Sequence, residues 1–116
     1  MRVAGLGFRV GAPLASLAEA LDLAGPADAL ATIPGRAAAP AILALARARG
    51  LPLLAVEVAG IATPTQSPRV MALHRTGSVA EAAALAALAP GAQIVAARVT
   101  SQDGTATAAI AEGDPA

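Results

Sequence analysis

The sequence predicts an α/β fold, namely a single three-layer α/β/α domain with a mixed, mostly parallel five-stranded sheet that ends in an antiparallel hairpin. Short apolar runs alternate with stretches of helical periodicity along the chain, and proline or glycine marks nearly every boundary between them. A chain of 116 residues fits one domain, which we place at residues 1–112. The polar end, residues 113–116, is expected to be a disordered tail.

Each predicted element has a local cause. The predicted strands cover residues 2–8, 29–33, 51–56, 94–99 and 105–111, and the predicted helices cover residues 13–24, 40–49, 68–74 and 79–89, with a further helical turn at 57–60. Prolines stand at the first position of three of these helices, and glycines follow their ends. The third strand is apolar on both faces, as in a buried parallel sheet. Gln102-Asp103-Gly104 predicts the turn of the final hairpin.

Composition excludes several classes of function. Formal net charge is zero and Phe8 is the one aromatic residue, which disfavours nucleic acid as a partner. No apolar run approaches the roughly 20 residues of a membrane helix, and the N-terminus lacks a signal-peptide pattern, so we expect a cytoplasmic protein without a membrane partner. All eight cationic side chains are arginine. This usage reflects either coding bias or a need for bidentate carboxylate recognition.

A glycine-rich segment follows the first predicted strand and precedes a helix. Gly5, Gly7, Phe8, Arg9 and Gly11 stand where free backbone N–H groups and a guanidinium can bind an anion. The spacing G-x-G-x-x-x-G departs from the dinucleotide motif, and no acidic residue ends the second strand to hold a ribose. A tight turn without a ligand and a site for another anionic ligand both stay open as interpretations.

Two further segments follow the second and third strands. Thr32 and Arg36 stand at the carboxyl end of the second strand, where open α/β sheets bind ligands. The loop 63–69 carries hydroxyls, an amide and an arginine, and Ser67 within it is a candidate ligand contact. The alternatives are a solvated arginine near a turn and an ordinary connecting loop.

Thr76-Gly77-Ser78 precede the last predicted helix. Ser78 and Glu81 match the capping-box pattern S-x-x-E, in which each side chain accepts the other's backbone N–H. These residues either cap the helix alone, or cap it and also contact a ligand carboxylate at the mouth of the same cleft. We expect no general acid–base role for Glu81, because the cap would occupy its carboxylate.

Neither a metal site nor a cofactor is expected. The chain has no cysteine, and its one histidine, His74, stands at a predicted helix end without other ligand types nearby. No serine lies in a G-x-S-x-G elbow, so Ser-His-Asp catalysis has no support. The sequence assigns no catalytic residue.

Five segments, taken in order, resemble one family. They are G-x-G-x-R-x-G at 5–11, L-A-T with a following arginine at 30–36, G-L-P-L at 50–53, S-P-x-V at 67–70, and G-S-V-A-E-A-A-A-L at 77–85. This series resembles the CobE / CbiG C-terminal family of cobalamin biosynthesis over almost the whole chain. Many members have lysine in place of Arg36 and an acidic residue soon after it, whereas alanines follow here. CbiG-type proteins carry additional N-terminal sequence that is not found here, so the resemblance leads us to expect the stand-alone CobE type.

The resemblance implies a cobalamin (corrin) biosynthesis protein that binds or carries a carboxylate-rich tetrapyrrole intermediate. The expected partners are corrin or precorrin intermediates and other enzymes of the pathway. One alternative implied by the family is a hydrolase that opens a ring lactone of a precorrin-type intermediate and releases acetaldehyde, with Ser78 or Thr76 near the reacting group. Another is a subunit that docks on a pathway enzyme.

Overall fold

Five strands form one mixed sheet in the order β3-β2-β1-β5-β4 in the computed structural model, which describes residues 1–116. The strands are β1 (Arg2–Phe8), β2 (Ala29–Thr32), β3 (Leu53–Ala55), β4 (Gln93–Thr100) and β5 (Ala106–Glu112). The helices are α1 (Leu14–Ala24), α2 (Pro40–Arg49), α3 (Pro68–His74) and α4 (Val79–Ala86), with a 3-10 turn at Pro34–Arg36. β1, β2 and β3 run parallel, whereas β5 is antiparallel to both β1 and β4. The predicted α/β class, the five strands and the final hairpin are confirmed.

Local signals set the bounds of α2 and α3 as predicted. Proline occupies an early position in both helices, where its missing N–H costs nothing. Gly50 ends α2 in the left-handed conformation at φ 64°. At the start of α3, the Ser67 hydroxyl accepts the Val70 N–H at 3.4 Å.

Three predicted elements are shorter or different in the structure. Helix α4 ends at Ala86 instead of residue 89, because Leu88 bridges to Pro115 and the Ala89 N–H donates to the Asp114 carbonyl. Strand β3 begins only at Leu53, since the Leu51 N–H still donates to the carbonyl of Ala46 in α2. Residues 57–60 form no helix, and a turn is present only at 59–60. The end of α4 is set by bonds to the distant C-terminal residues, whereas the start of β3 is set by the local end of α2.

The sheet buries a separate apolar core on each face. On one face, helices α1 and α2 cover strand residues from β1, β2 and β5; this core is centred on Leu6, Leu17, Leu30, Ile42, Leu45 and Ile110. On the other face, the alanines of α4 pack on Val3, Ala29, Ala31 and Ala111. Helices therefore cover both faces of the sheet, which confirms the predicted three layers.

Gly5 lets α4 approach the sheet closely. A Cβ atom at this position would lie 1.8 Å from the Ala80 carbonyl oxygen and 2.6 Å from the Ala84 nitrogen. Only glycine permits such contact between a strand and a helix backbone. Gly5, which the sequence suggested as a ligand contact, is thus held in place by packing between β1 and α4.

The two chain ends meet beside β5. The Met1 ammonium donates to the Gly113 carbonyl, and the Gly113 N–H donates to the Met1 carbonyl, each at 3.1 Å. Residues 113–116, for which we expected a disordered tail, therefore contact the body of the domain through Gly113, Asp114 and Pro115. None of the helices combines the length and the apolar character that crossing a bilayer requires.

Candidate functional site: an arginine-lined cleft

A cleft of about 260 Å³ opens where the carboxyl ends of β1, β2 and β4 meet the start of β5. Helix α3 and the first residue of α4 complete its walls. The residues that line this cleft are Gly7, Phe8, Arg9, Thr32, Ile33, Arg36, Arg69, Val70, Leu73, His74, Val79, Arg98, Gly104, Thr105 and Thr107. Ligand sites in open α/β sheets lie at this edge.

The charge of the cleft is one-sided. Four of the eight arginines line it, whereas none of the eight aspartates and glutamates does. The two ion pairs of the chain join Arg2 to Glu112 at 3.5 Å and Arg49 to Asp22 at 2.8 Å, both away from the cleft. A protein of zero formal net charge therefore concentrates cations in one cavity, which attracts anions locally.

The end of β1 positions two of the four arginines. Arg9 directly follows β1, and its N–H donates to the Thr105 carbonyl at 3.0 Å. Arg36 ends the 3-10 turn after β2 and donates from Nε to the Phe8 carbonyl at 3.1 Å. That bond fixes the guanidinium at the cleft and uses one of its five donors, so the others stay available to an anion.

A bulge in β4 places Arg98 in the cleft. Ala96 and Val99 pair with Ile110 and Ala108, so β4 spans three residues where β5 spans two. The extra residue interrupts the ladder, and the Arg98 N–H donates instead to Glu81 Oε2 at 3.0 Å. Because strand residues alternate between faces, an insertion of this kind redirects the side chains that follow it.

Glu81 is the buried anchor of the walls. Its side chain is fully buried in α4, yet its carboxylate accepts the Thr65 N–H at 2.8 Å and the Thr65 hydroxyl at 2.9 Å in addition to the Arg98 N–H. It thereby ties the loop before α3 and strand β4 to one helix. The expected capping box is only half correct, since the Ser78 hydroxyl accepts the Glu81 N–H at 3.3 Å but the carboxylate binds other partners.

The loop before α3 fixes the position of this helix, which places Arg69 and His74 at the cleft. The Ser67 N–H donates to the Gly77 carbonyl at 2.8 Å, and the Gln66 side-chain amide donates to the Thr63 carbonyl at 2.7 Å. These bonds, with the contact between Thr65 and Glu81, fix where α3 begins.

Asp103 holds the turn between β4 and β5 at the rim of the cleft. Its carboxylate accepts hydrogen bonds from the hydroxyls of Ser16, Ser101 and Thr105 and from the Thr105 N–H, at 2.6 to 3.1 Å. These bonds, the one from Ser16 foremost, hold the pKa of the Asp103 carboxyl well below its ordinary value of 3.8. The turn that presents Gly104 and Thr105 is therefore fixed to α1.

The structure brings together five of the twelve residues proposed from sequence and leaves seven outside the cleft lining. Those that line it are Gly7, Phe8, Arg9, Thr32 and Arg36. Those outside it are Gly5, Gly11, Ser67, Thr76, Gly77, Ser78 and Glu81. Most of the second group support the walls from behind: the buried Thr76 hydroxyl, for example, donates to the Ile61 carbonyl at 2.6 Å. At the start of α4, Val79 is the residue that reaches the cleft.

Several cleft residues were not among those proposed from sequence. Arg98 and Thr107 lie within strands, and only the order of the sheet and the bulge of β4 bring them to this edge. His74 was interpreted as an ordinary helix-end residue. It does end α3, but that helix end faces the cleft. Arg69 is the arginine of the candidate loop 63–69, although only Ser67 was named there as a ligand contact.

The arrangement suits binding of a polyanion. Guanidinium groups form paired hydrogen bonds to carboxylates. The hydroxyls of Thr32, Thr105 and Thr107 already donate to protein acceptors, so the arginines are the main donors that the cleft offers to a ligand. Nowhere in the chain do three or more histidine, cysteine, aspartate or glutamate side chains come together as a metal site would require. The lining includes one imidazole, that of His74, and no carboxylate.

The fold and the cleft define a small three-layer α/β protein with a cationic site at the carboxyl ends of its parallel strands. A family model described as cobalamin synthesis G C-terminus matches residues 2–111, and the chain belongs to this family. The family resemblance found in the sequence is thus confirmed. A comparison with curated proteins gives no match.

Two solved structures share the fold along nearly the whole chain. The crystal structure of cobalamin biosynthesis protein ChiG from Agrobacterium tumefaciens is 31% identical, with a TM-score of 0.72, over 97% of this chain and 98% of that one. The structure of CobE, a protein from the cobalamin biosynthetic pathway, is 28% identical, with a TM-score of 0.73, over 96% of this chain and 89% of that one.

Proposed function

We propose that this protein of the cobalamin family binds a carboxylate-rich tetrapyrrole intermediate in the arginine-lined cleft. One observation carries the proposal: four arginines and no carboxylate line a single cavity in a chain of zero formal net charge. Corrin intermediates display acetate and propionate groups around the ring, so several carboxylates can meet several guanidiniums at once.

Geometry supports binding more than turnover. Arg36 is fixed by the Phe8 carbonyl, and the walls that carry Arg69 and Arg98 are joined through Glu81. A site whose walls and one guanidinium are already positioned loses less conformational entropy when it binds. Both solved relatives are named as proteins of cobalamin biosynthesis, which agrees with an intermediate of that pathway as the ligand.

A titration with hydrogenobyrinic acid, followed by the visible absorption of the ring, tests the proposal. Two exposed helical arginines make a matched pair, since Arg69 lines the cleft and Arg47 in α2 does not. We expect saturable binding that Arg69→Ala weakens by roughly tenfold, the loss of about one charge-assisted hydrogen bond, and that Arg47→Ala leaves unchanged. An unchanged spectrum together with no co-elution on gel filtration would refute the proposal.

The alternative function is a hydrolase that opens a ring lactone. The hydroxyls of Ser78 and Thr76, which we considered for this role, are buried, bonded to the backbone and outside the cleft lining. What favours the alternative is His74, whose imidazole lines the cleft and could act as a general base. Incubation with the lactone substrate separates the two functions: we expect no acetaldehyde, and its release by the wild type but not by His74→Ala would assign the hydrolase instead.

A further inference from the structure

An apolar groove adjoins the cleft on the side of α1 and α2. It has a volume of about 680 Å³ and is lined mainly by alanine, proline and aliphatic side chains, including Val10, Pro13, Leu14 and Pro40. Val10 is 82% exposed and Leu14 is 41% exposed, so both present apolar surface to solvent beside the same depression. Nothing in the chain covers these side chains, so the groove is open to a ligand.

The groove and the cleft form one continuous surface. Phe8 and Arg36 line both, and Arg9 in the cleft is followed directly by Val10 in the groove. The boundary is well fixed, because the Ala12 N–H donates to the Arg9 carbonyl at 3.0 Å and Arg36 Nε donates to the Phe8 carbonyl at 3.1 Å. A ligand can therefore bind its charged groups on one side of this boundary and its apolar surface on the other.

The cleft is too small to hold a whole tetrapyrrole. Its volume is about 260 Å³, whereas sites for drug-sized molecules have roughly 300–1,000 Å³, and a tetrapyrrole is larger than a drug-sized molecule. A bound tetrapyrrole must therefore extend beyond the cleft. The opposite neighbour is a depression of about 380 Å³ that shares Ile33, Leu73 and His74 with the cleft, and both Glu57 and Arg75 line it, so its formal charges cancel. The groove is larger, is mostly apolar, and has Arg36 as its only charged lining residue, which suits the apolar part of an acidic ligand better.

We propose that the groove beside Val10 and Leu14 binds the apolar ring face of an amphipathic polycarboxylate whose acid groups occupy the arginine-lined cleft. The inference rests on the proposed function and names the second half of its site. Arg36 lies between the two halves and holds a carboxylate at the edge of the ring. Contact with the ring buries Val10 and Leu14, which links affinity to apolar surface as well as to charge.

The test uses two ligands and two variants without a change of charge to separate the contribution of the apolar ring to affinity from that of the carboxylates. The ligands are hydrogenobyrinic acid and citrate, a tricarboxylate without a macrocycle. The groove variant is Val10→Gln combined with Leu14→Gln, which keeps size and charge but removes apolar character. The control is Leu23→Gln, an equally conservative change at a residue of α1 that is 58% exposed and lies outside both cavities.

We expect the groove variant to lose roughly tenfold or more in affinity for hydrogenobyrinic acid, to keep the wild-type affinity for citrate, and to have the wild-type thermal midpoint. Leu23→Gln should bind both ligands as the wild type does.

Full affinity of the groove variant for hydrogenobyrinic acid, with Arg69→Ala still weakened, would overturn this inference and leave the proposed function intact. Absence of binding by the wild type would instead refute the proposed function. A concentration-dependent dimer of the wild type that the groove variant abolishes would assign the groove to a second copy of the chain and overturn the inference.

Discussion

The cleft and the residues that support it use charge in opposite ways. Among the supporting residues, the carboxylates of Glu81 behind the walls and of Asp103 at the rim each accept several hydrogen bonds from N–H and hydroxyl groups of separate elements. In the cleft, Arg36 donates to a backbone carbonyl, the Arg98 backbone N–H donates to Glu81, and no carboxylate is part of the lining. These two carboxylates serve structure, whereas four of the eight arginines face a cavity that a ligand can enter.

Substitution of Gly5 should have the largest effect, because it disrupts the packing of α4 on the sheet. Gly5→Ala would place a Cβ atom within 1.8 Å of the Ala80 carbonyl oxygen, which forces α4 away from the sheet. We expect a loss of about 3 kcal/mol or more in the free energy of unfolding, measured by urea denaturation. Gly35→Ala is the control, since no atom lies within 4 Å of its Cβ position. Equal stability of the two variants would contradict the close approach of α4.

Removal of Glu81 tests its role as an anchor. Glu81→Ala leaves the partly buried N–H groups of Thr65 and Arg98 without their acceptor. We expect a loss of about 3 kcal/mol in urea unfolding, and a smaller loss for Glu81→Gln, whose amide oxygen still accepts. Glu57→Ala, an exposed acidic position, should change the stability little. A loss below about 1 kcal/mol for Glu81→Ala would show that the walls stand without it.

The salt dependence of ligand affinity tests the role of the arginines that line the cleft. Affinity for hydrogenobyrinic acid should fall by roughly tenfold between low and high salt, because partly exposed guanidiniums are screened. The double variant Arg9→Ala with Arg69→Ala should bind more weakly at low salt and depend less on salt. Calorimetric titration at several ionic strengths measures both effects. An affinity of the wild type that is independent of salt would mean that the arginines do not carry the binding.

The smallest expected effect is the pH dependence of the stability that Asp103 contributes. Because folding lowers the pKa of its carboxyl, the stabilisation is present above the ordinary value of 3.8 and is lost as the pH falls through and below it. Asp103→Asn should therefore be less stable than the wild type at neutral pH, and the difference should shrink below about pH 4. Urea midpoints across this range check the prediction. A difference that stays constant down to acidic pH would argue against the hydrogen bonds from Ser16 and Ser101.

Local chemistry made most of the fold predictable. Prolines and glycines fixed α2 and α3, and Gln102-Asp103-Gly104 marked the hairpin turn. The insertion of β5 between β1 and β4 had no local signal, because strand order depends on contacts between distant segments.

The distinction between local signals and contacts of distant segments also explains which site residues could be predicted. Arg9 and Arg36 follow strand ends and could be found from sequence, since ligands bind at those ends. Arg98 could not, because a bulge in β4 brings it to the cleft and the acceptor of its N–H lies 17 residues away in α4. The S-x-x-E pattern at Ser78 predicted a cap, but the carboxylate is drawn to stronger tertiary partners.

Chemical modification of the arginines tests the central claim directly. Treatment with phenylglyoxal, with and without saturating hydrogenobyrinic acid, can be mapped along the chain by peptide mass spectrometry. We predict that the ligand protects Arg9, Arg36, Arg69 and Arg98 and leaves the reactivity of Arg47 unchanged. Equal protection inside and outside the cleft, or protection of Arg47 alone, would contradict it.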